Sequence, residues 1–176
     1  KGLDFMEHVT INELGLSSNS SYGYQAITRS KMKKIFSQFT ITSEDSIIDL
    51  GCGKGKALYE MSKFPFKQID GVEISKNLSS ISRTNIQKLN LNNIEIFNLD
   101  AALFTNLDRY NYIYFYNPFP SIVFIKVMEN IEKSLIKTPR TVTIIYAFPT
   151  CHEDVIKSGI FKNVKKQYFL SGRNTN

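Results

Sequence analysis

The 176-residue chain has no tryptophan, two cysteines, two histidines and five prolines. Cys52 and Cys151 alone cannot build a disulfide framework, and so low a cysteine count fits a reducing compartment. His8 and His152 stand far apart and lack metal-ligand spacing, so no metal site is expected. No stretch nears the roughly 18 consecutive apolar residues of a membrane span, and no signal-peptide pattern opens the chain. The expected location is cytoplasmic, with no membrane partner. The chain opens on Lys1 and not on Met, as one trimmed at its amino terminus or cut from a longer sequence would. Acidic residues are also in deficit, 16 against 22 Lys and Arg, for a net charge of +6 and a pI near 9.2. The lysines scatter, with short clusters only at Lys31, Lys33 and Lys34 and at Lys162, Lys165 and Lys166. Such a surface leaves nucleic-acid binding open without favouring it.

What remains is an ordinary globular composition, 42% hydrophobic and 22% charged, in a chain long enough for one buried core. From Ser46 onward, short apolar runs alternate with segments of helical period, the pattern of βαβ units around a mostly parallel sheet. Strands are predicted at Ser46 to Leu50, Gln68 to Ile74, Asn93 to Leu99, Tyr110 to Tyr116, Thr141 to Phe148 and Phe161 to Leu170. The plainest helix carries Phe124, Val127, Met128, Ile131 and Leu135 on one stripe. Ser75 is placed to cap a helix reaching about Asn90, and a short helix is predicted near Glu153 to Lys157. Before the sheet, a helix from about Tyr24 to Phe39 sets Met32, Ile35, Phe36 and Phe39 on one side, and Gly15 to Gly23 reads as a loop. The expected division is an amino-terminal extension over 1–40 and a core over 41–176.

The chemistry concentrates in Ile47-Ile48-Asp49-Leu50-Gly51-Cys52-Gly53-Lys54-Gly55-Lys56. A buried strand running into G-x-G-x-G lets the backbone turn sharply and a ligand approach without interference from Cβ. The dinucleotide fingerprint needs G-x-G-x-x-G, whereas here position 56 is Lys and the third glycine comes one residue early. Asp49 also sets a carboxylate ahead of the turn, awkward for a pyrophosphate and useful for the ammonium of an amino acid. Two more acids fall at predicted strand ends. Glu73 can accept from both hydroxyls of a ribose. Asp100 can accept from the exocyclic amine of an adenine, while the Ala101 N–H donates to its ring.

Asp49-x-Gly51-x-Gly53-x-Gly55, Glu73 and Asp100-Ala101 resemble the cofactor motifs of class I S-adenosylmethionine-dependent methyltransferases, over about Tyr22 to Leu170. More narrowly, Asp49 to Ser75 with Asn117-Pro118-Phe119 is similar to small bacterial members whose substrates are mostly unassigned. The resemblance implies a Rossmann-like α/β fold with helices on both faces of the sheet and S-adenosylmethionine as cofactor. It sets Asp49, Gly51, Cys52, Gly53 and Gly55 around the methionyl part, Glu73 at the ribose, and Asp100 and Ala101 at the adenine, with Ile74 a further cofactor-binding residue. It also makes residues 1–40 a cofactor-covering loop and helix. Members usually close the sheet with a sixth and a reversed seventh strand, but only Ser171 to Asn176 follow Leu170. The seventh strand is expected to be missing, shortened or supplied from beyond this chain.

Asn117, after the fourth strand, resembles the first residue of the Asp/Asn-Pro-Pro-aromatic motif of amino-group methyltransferases. The resemblance implies that it orients an amine beside the transferable methyl and borders the cofactor. Here aromatic and proline are exchanged, as Asn117-Pro118-Phe119-Pro120. Tyr22 and Tyr24 are the other candidate catalytic residues, as polar walls of the site. Tyr112, Tyr114, Phe115 and Tyr116 read as strand core, and Cys52 as a packing residue and not a nucleophile. The expected reaction is methyl transfer to an unidentified acceptor, most simply a small molecule. RNA, DNA or protein acceptors stay open, as does a non-catalytic S-adenosyl nucleotide sensor. A nicotinamide enzyme is disfavoured by the early third glycine and Asp100.

Overall fold

The computed structural model describes residues 2–5, 9–10, 26–116, 119–147, 149, 151–157 and 159. Its five strands are β1 (Ser46–Leu50), β2 (Gln68–Val72), β3 (Ile94–Phe97), β4 (Tyr112–Tyr116) and β5 (Thr143–Ala147). They form one sheet in the order β3-β2-β1-β4-β5, every pairing parallel. All five residues of β1 are buried, as expected of a central strand covered on both faces. Connecting helices are α1 (Arg29–Phe36), α2 (Lys56–Met61), α3 (Lys76–Lys88), α4 (Ser121–Lys137) and α5 (His152–Lys157).

Alternation along the strands divides the core in two. Ile47, Ile69 and Tyr114 face one way and pack with Met32 and Phe36 of α1, Leu58 and Met61 of α2 and Ile86 of α3. Ile48, Leu50, Ile113 and Phe115 face the other way and meet Phe124, Val127, Met128 and Ile131 of α4 and Val155 of α5. The chain therefore builds outward from β1 through β2 to β3, then returns to the opposite side of β1 for β4 and β5. Beyond the carboxyl ends of β1 and β4 lies the switch point at which open α/β sheets form a crevice. Below it, a buried polar staple fixes the sheet. Asp70, fully buried in β2, accepts from Tyr110 Oη at 2.5 Å, Arg109 at 3.1 Å, Gln68 at 2.7 Å and the Glu95 N–H at 3.0 Å.

Several boundaries differ from the sequence expectation for local reasons. α1 starts at Arg29, not Tyr24, because the Thr28 side chain caps it by accepting from the Lys31 N–H. β2 ends at Val72 and β3 at Phe97, which puts Glu73 one residue past its strand. β4 begins at Tyr112, since the Tyr110 N–H closes a turn onto the Leu107 carbonyl. Ser75 does cap α3, accepting from the Leu78 N–H, and the four apolar positions Phe124, Val127, Met128 and Ile131 are buried. The predicted loop Gly15 to Gly23 and strand Phe161 to Leu170 lie outside the described residues.

Candidate functional site

The turn after β1 is set by its glycines. Gly51 has φ 100° and Gly55 φ 80°, a left-handed backbone that side-chain-bearing residues rarely adopt. A Cβ on Gly55 would also lie 2.4 Å from Ser82 Oγ, so the turn presses directly onto α3. Hydrogen bonds from the Gly51 and Cys52 N–H groups to the Val72 carbonyl, at 2.8 and 3.0 Å, tie the turn to the end of β2.

Glu73 closes that corner from β2. Its Oε2 accepts from the Gly53 N–H at 2.9 Å and its Oε1 from the Ser75 N–H at 2.8 Å. A carboxylate offers about four lone-pair positions, so both oxygens retain acceptor capacity. Burial nonetheless pushes its pKa up, outweighing the bonds from Ser75, Gly53 and Ile74. Asp49 is 2% exposed, and its Oδ1 has no partner among the described residues. Burial and then the charge of Glu73 hold its pKa well above the ordinary aspartate value. Cys52 packs between the glycines, and its Sγ occupies the space a Cβ on Gly71 would need, 2.6 Å away. Burial, Asp49 and Glu73 push the thiol pKa up, the opposite of an activated nucleophile.

The end of β3 is bound to the same corner. The Asn98 side chain donates to the carbonyls of Glu73 and Ile74, and the Leu99 N–H donates to the Glu73 carbonyl. Asp100 follows, accepting from the Ala102 N–H at 2.9 Å and capping a single 3-10 turn over Ala101–Leu103. The structure thus brings Asp49, Gly51, Cys52, Gly53, Gly55, Glu73, Ile74, Asp100 and Ala101 to adjacent strand ends. Tyr22, Tyr24 and Asn117 lie outside the described residues.

Two features escaped the sequence. Lys54, inside the glycine turn, is 1% exposed and reaches Asp4 at 2.6 Å. Asn85 of α3 pairs with both backbone groups of Asp4, at 3.0 and 2.7 Å, and donates to the Lys54 carbonyl at 3.0 Å. Residues 2–5 are therefore latched to the back of the turn, with Phe5 stacked on Tyr59 of α2. No periodicity announces a contact across 50 or 81 residues. The second feature is Tyr114, whose hydroxyl is buried without a partner among the described residues. Its only sequence signal is the alternation Tyr112, Tyr114, Tyr116, which repeats a polar tip along one face of a core strand.

Residues 43–120 match the family described as "Putative methyltransferase". A curated relative from Methanococcus maripaludis, "Probable cobalt-precorrin-6B C(15)-methyltransferase (decarboxylating)", is 31% identical over 113 residues, 62% of this chain and 55% of the relative. Human "EEF1A lysine methyltransferase 2" is 29% identical over 87 residues, 49% of this chain and 36% of the relative. The chain thus spans about half or less of these relatives' length. Among solved structures, a SAM-dependent methyltransferase from Geobacter sulfurreducens in complex with S-adenosyl-L-homocysteine superposes with a TM-score of 0.56 at 16% identity. The superposition covers 68% of this chain and 48% of that one. Residues 43–120 are thus similar to a methyltransferase family, and the fold is the one seen in solved S-adenosylmethionine-dependent methyltransferases.

Proposed function

We propose that this chain binds S-adenosylmethionine at the ends of β1, β2 and β3 and directs its methyl group to a nucleophilic atom of a small-molecule acceptor. The observation that carries the reading is the buried pair Asp49 and Glu73 gathered around the glycine turn at the switch point. The residues fit the cofactor. Asp49 Oδ1 is a buried acceptor awaiting a donor, suited to the ammonium of the methionyl part. Glu73 keeps lone pairs for the ribose hydroxyls while holding the Gly53 and Ser75 N–H groups. Asp100 and the Ala101 N–H are the acceptor and donor for the adenine edge. Bound here, the cofactor supplies an electrophilic methyl on a sulfonium. The chain supplies alignment and exclusion of water. In this reading Asn117 orients the acceptor, and Tyr22 and Tyr24 are the further catalytic candidates.

The curated relatives are named for different acceptors, one for lysine of EEF1A and one for cobalt-precorrin-6B, so kinship alone does not choose. The small-molecule reading rests on the disposition of charge. Lys54, Lys56, Lys63, Lys137 and Arg109 are each paired with a carboxylate, which leaves them less able to replace counterions along a nucleic-acid backbone. The test is transfer of labelled methyl from S-adenosylmethionine into metabolite, RNA, DNA and protein pools. Label is expected in the small-molecule fraction. Label confined to nucleic acid or protein would replace that acceptor class. Cofactor binding without transfer into any pool would make the chain a sensor.

A further inference from the structure

Among the described residues, three buried side-chain polar atoms have no hydrogen-bond partner: Asp49 Oδ1, Tyr114 Oη and Ser82 Oγ. Ser82 lies on α3, against the glycine turn. The other two belong together. Asp49 and Tyr114 are direct partners in the β1–β4 pairing, so their side chains leave the same face of the sheet. They are 2% and 0% exposed. Neither satisfies the other, and neither reaches water.

The electrostatics of this corner are one-sided. Asp49 and Glu73 bring two carboxylates into a buried space, and the lysines of the adjoining turn are engaged elsewhere. Lys54 binds Asp4 at 2.6 Å and Lys56 binds Glu60 at 2.8 Å. Burial, then the neighbouring Asp49 charge, push the Tyr114 pKa well up, so its ring oxygen stays a neutral phenol. The corner is rich in acceptors and short of a cation.

We propose that Tyr114 is a ligand of the cofactor's amino group, its phenolic oxygen and Asp49 Oδ1 each accepting one N–H of the ammonium. The inference rests on the S-adenosylmethionine reading and adds to it a residue from the middle of β4, away from the strand-end acids. An ammonium suits the pair because it offers three donors from one atom and a positive charge for the two carboxylates. A water molecule would satisfy the same atoms but leave the charge unbalanced. The consequence is selectivity: adenosyl ligands that carry the amine are preferred over those that lack it.

The test is calorimetric titration of wild type and Tyr114→Phe with two ligands. One is S-adenosylhomocysteine; the other is its analogue with hydrogen in place of the amino group. Tyr114→Phe is expected to weaken S-adenosylhomocysteine roughly tenfold and to leave the analogue within about twofold. Equal loss for both ligands, or no loss for either, overturns the proposal. Wild type that binds neither ligand overturns the cofactor reading itself, a distinct result. A melting curve of the ligand-free variant supplies the second check. Removing a hydroxyl with no partner should leave the melting temperature unchanged or raised, so a fall, or failure to fold, contradicts the premise.

Discussion

Asp49 is where stability and ligand binding should pull in opposite directions. Its carboxylate is 2% exposed, carries an oxygen without a partner among the described residues, and feels the charge of Glu73. A buried polar group left unsatisfied costs about 1–3 kcal/mol, more when charged. Asp49→Asn keeps the shape and a polar group but removes the charge, so the ligand-free protein should recover the excess cost of the charged form, about 1 kcal/mol or more near neutral pH. For a chain of this size, each kcal/mol raises the melting temperature by about 2–4 °C. The pH dependence fixes the sign. The folded-state pKa of Asp49 is raised above the ordinary value of 3.8, so the native state binds this proton more tightly than the unfolded chain does. The stability contributed by this group is fully present below the unfolded pKa and is lost as pH rises through the raised native pKa. The advantage of Asp49→Asn should therefore be absent in acid and open as pH rises. Melting curves of both proteins across mildly acidic to neutral pH, without ligand, measure it. Saturating S-adenosylhomocysteine should then favour wild type. A variant less stable than wild type at neutral pH, or a pH-independent difference, would refute the reasoning.

Glu73→Ala should weaken S-adenosylhomocysteine binding by about 2–3 kcal/mol, roughly 30- to 150-fold, while circular dichroism shows the fold retained. An unchanged dissociation constant would leave Glu73 only the structural task of holding the Gly53 and Ser75 N–H groups. Asp4→Ala removes the carboxylate that Lys54 reaches at 2.6 Å. Because Asp4 is 43% exposed, the cost should be about 1–2 kcal/mol, below that of a fully buried pair, and denaturant titration reads it. Once an acceptor is known, Asn117→Ala should lower turnover and leave cofactor affinity within about threefold, because an orienting group acts mainly in the transition state. Collapse of cofactor affinity would make Asn117 a cofactor ligand instead.

The features legible in the sequence are those in which one local signal is strong. β1 was readable to the residue because an apolar run stops dead at Gly51, and α4 because Phe124, Val127, Met128 and Ile131 repeat at helical spacing. Strand ends were less legible because polar side chains take over the pairing there. Asn98 bonds the carbonyls of Glu73 and Ile74, and Asn93 the carbonyl of Phe66, at the two ends of β3. The start of α1 was masked by apolar period running on ahead of the cap at Thr28. At the site, the strand-end acids stood out because a carboxylate after a buried run is conspicuous. Lys54 did not, because a lysine in a glycine turn is ordinarily solvated. Its burial depends on Asp4 and Asn85, partners that only the folded chain brings near. Tyr114 reads as core in the sequence and is core in the fold, but nothing in the pattern of β4 tells that its hydroxyl is left without a partner among the described residues.

The most direct measurement is calorimetric titration of the protein with S-adenosylhomocysteine and, separately, with NAD. The early third glycine, the buried Asp49 and the strand-end acids Glu73 and Asp100 lead to saturable one-to-one binding of S-adenosylhomocysteine and no binding of NAD. Binding of NAD with none of S-adenosylhomocysteine would contradict the central claim.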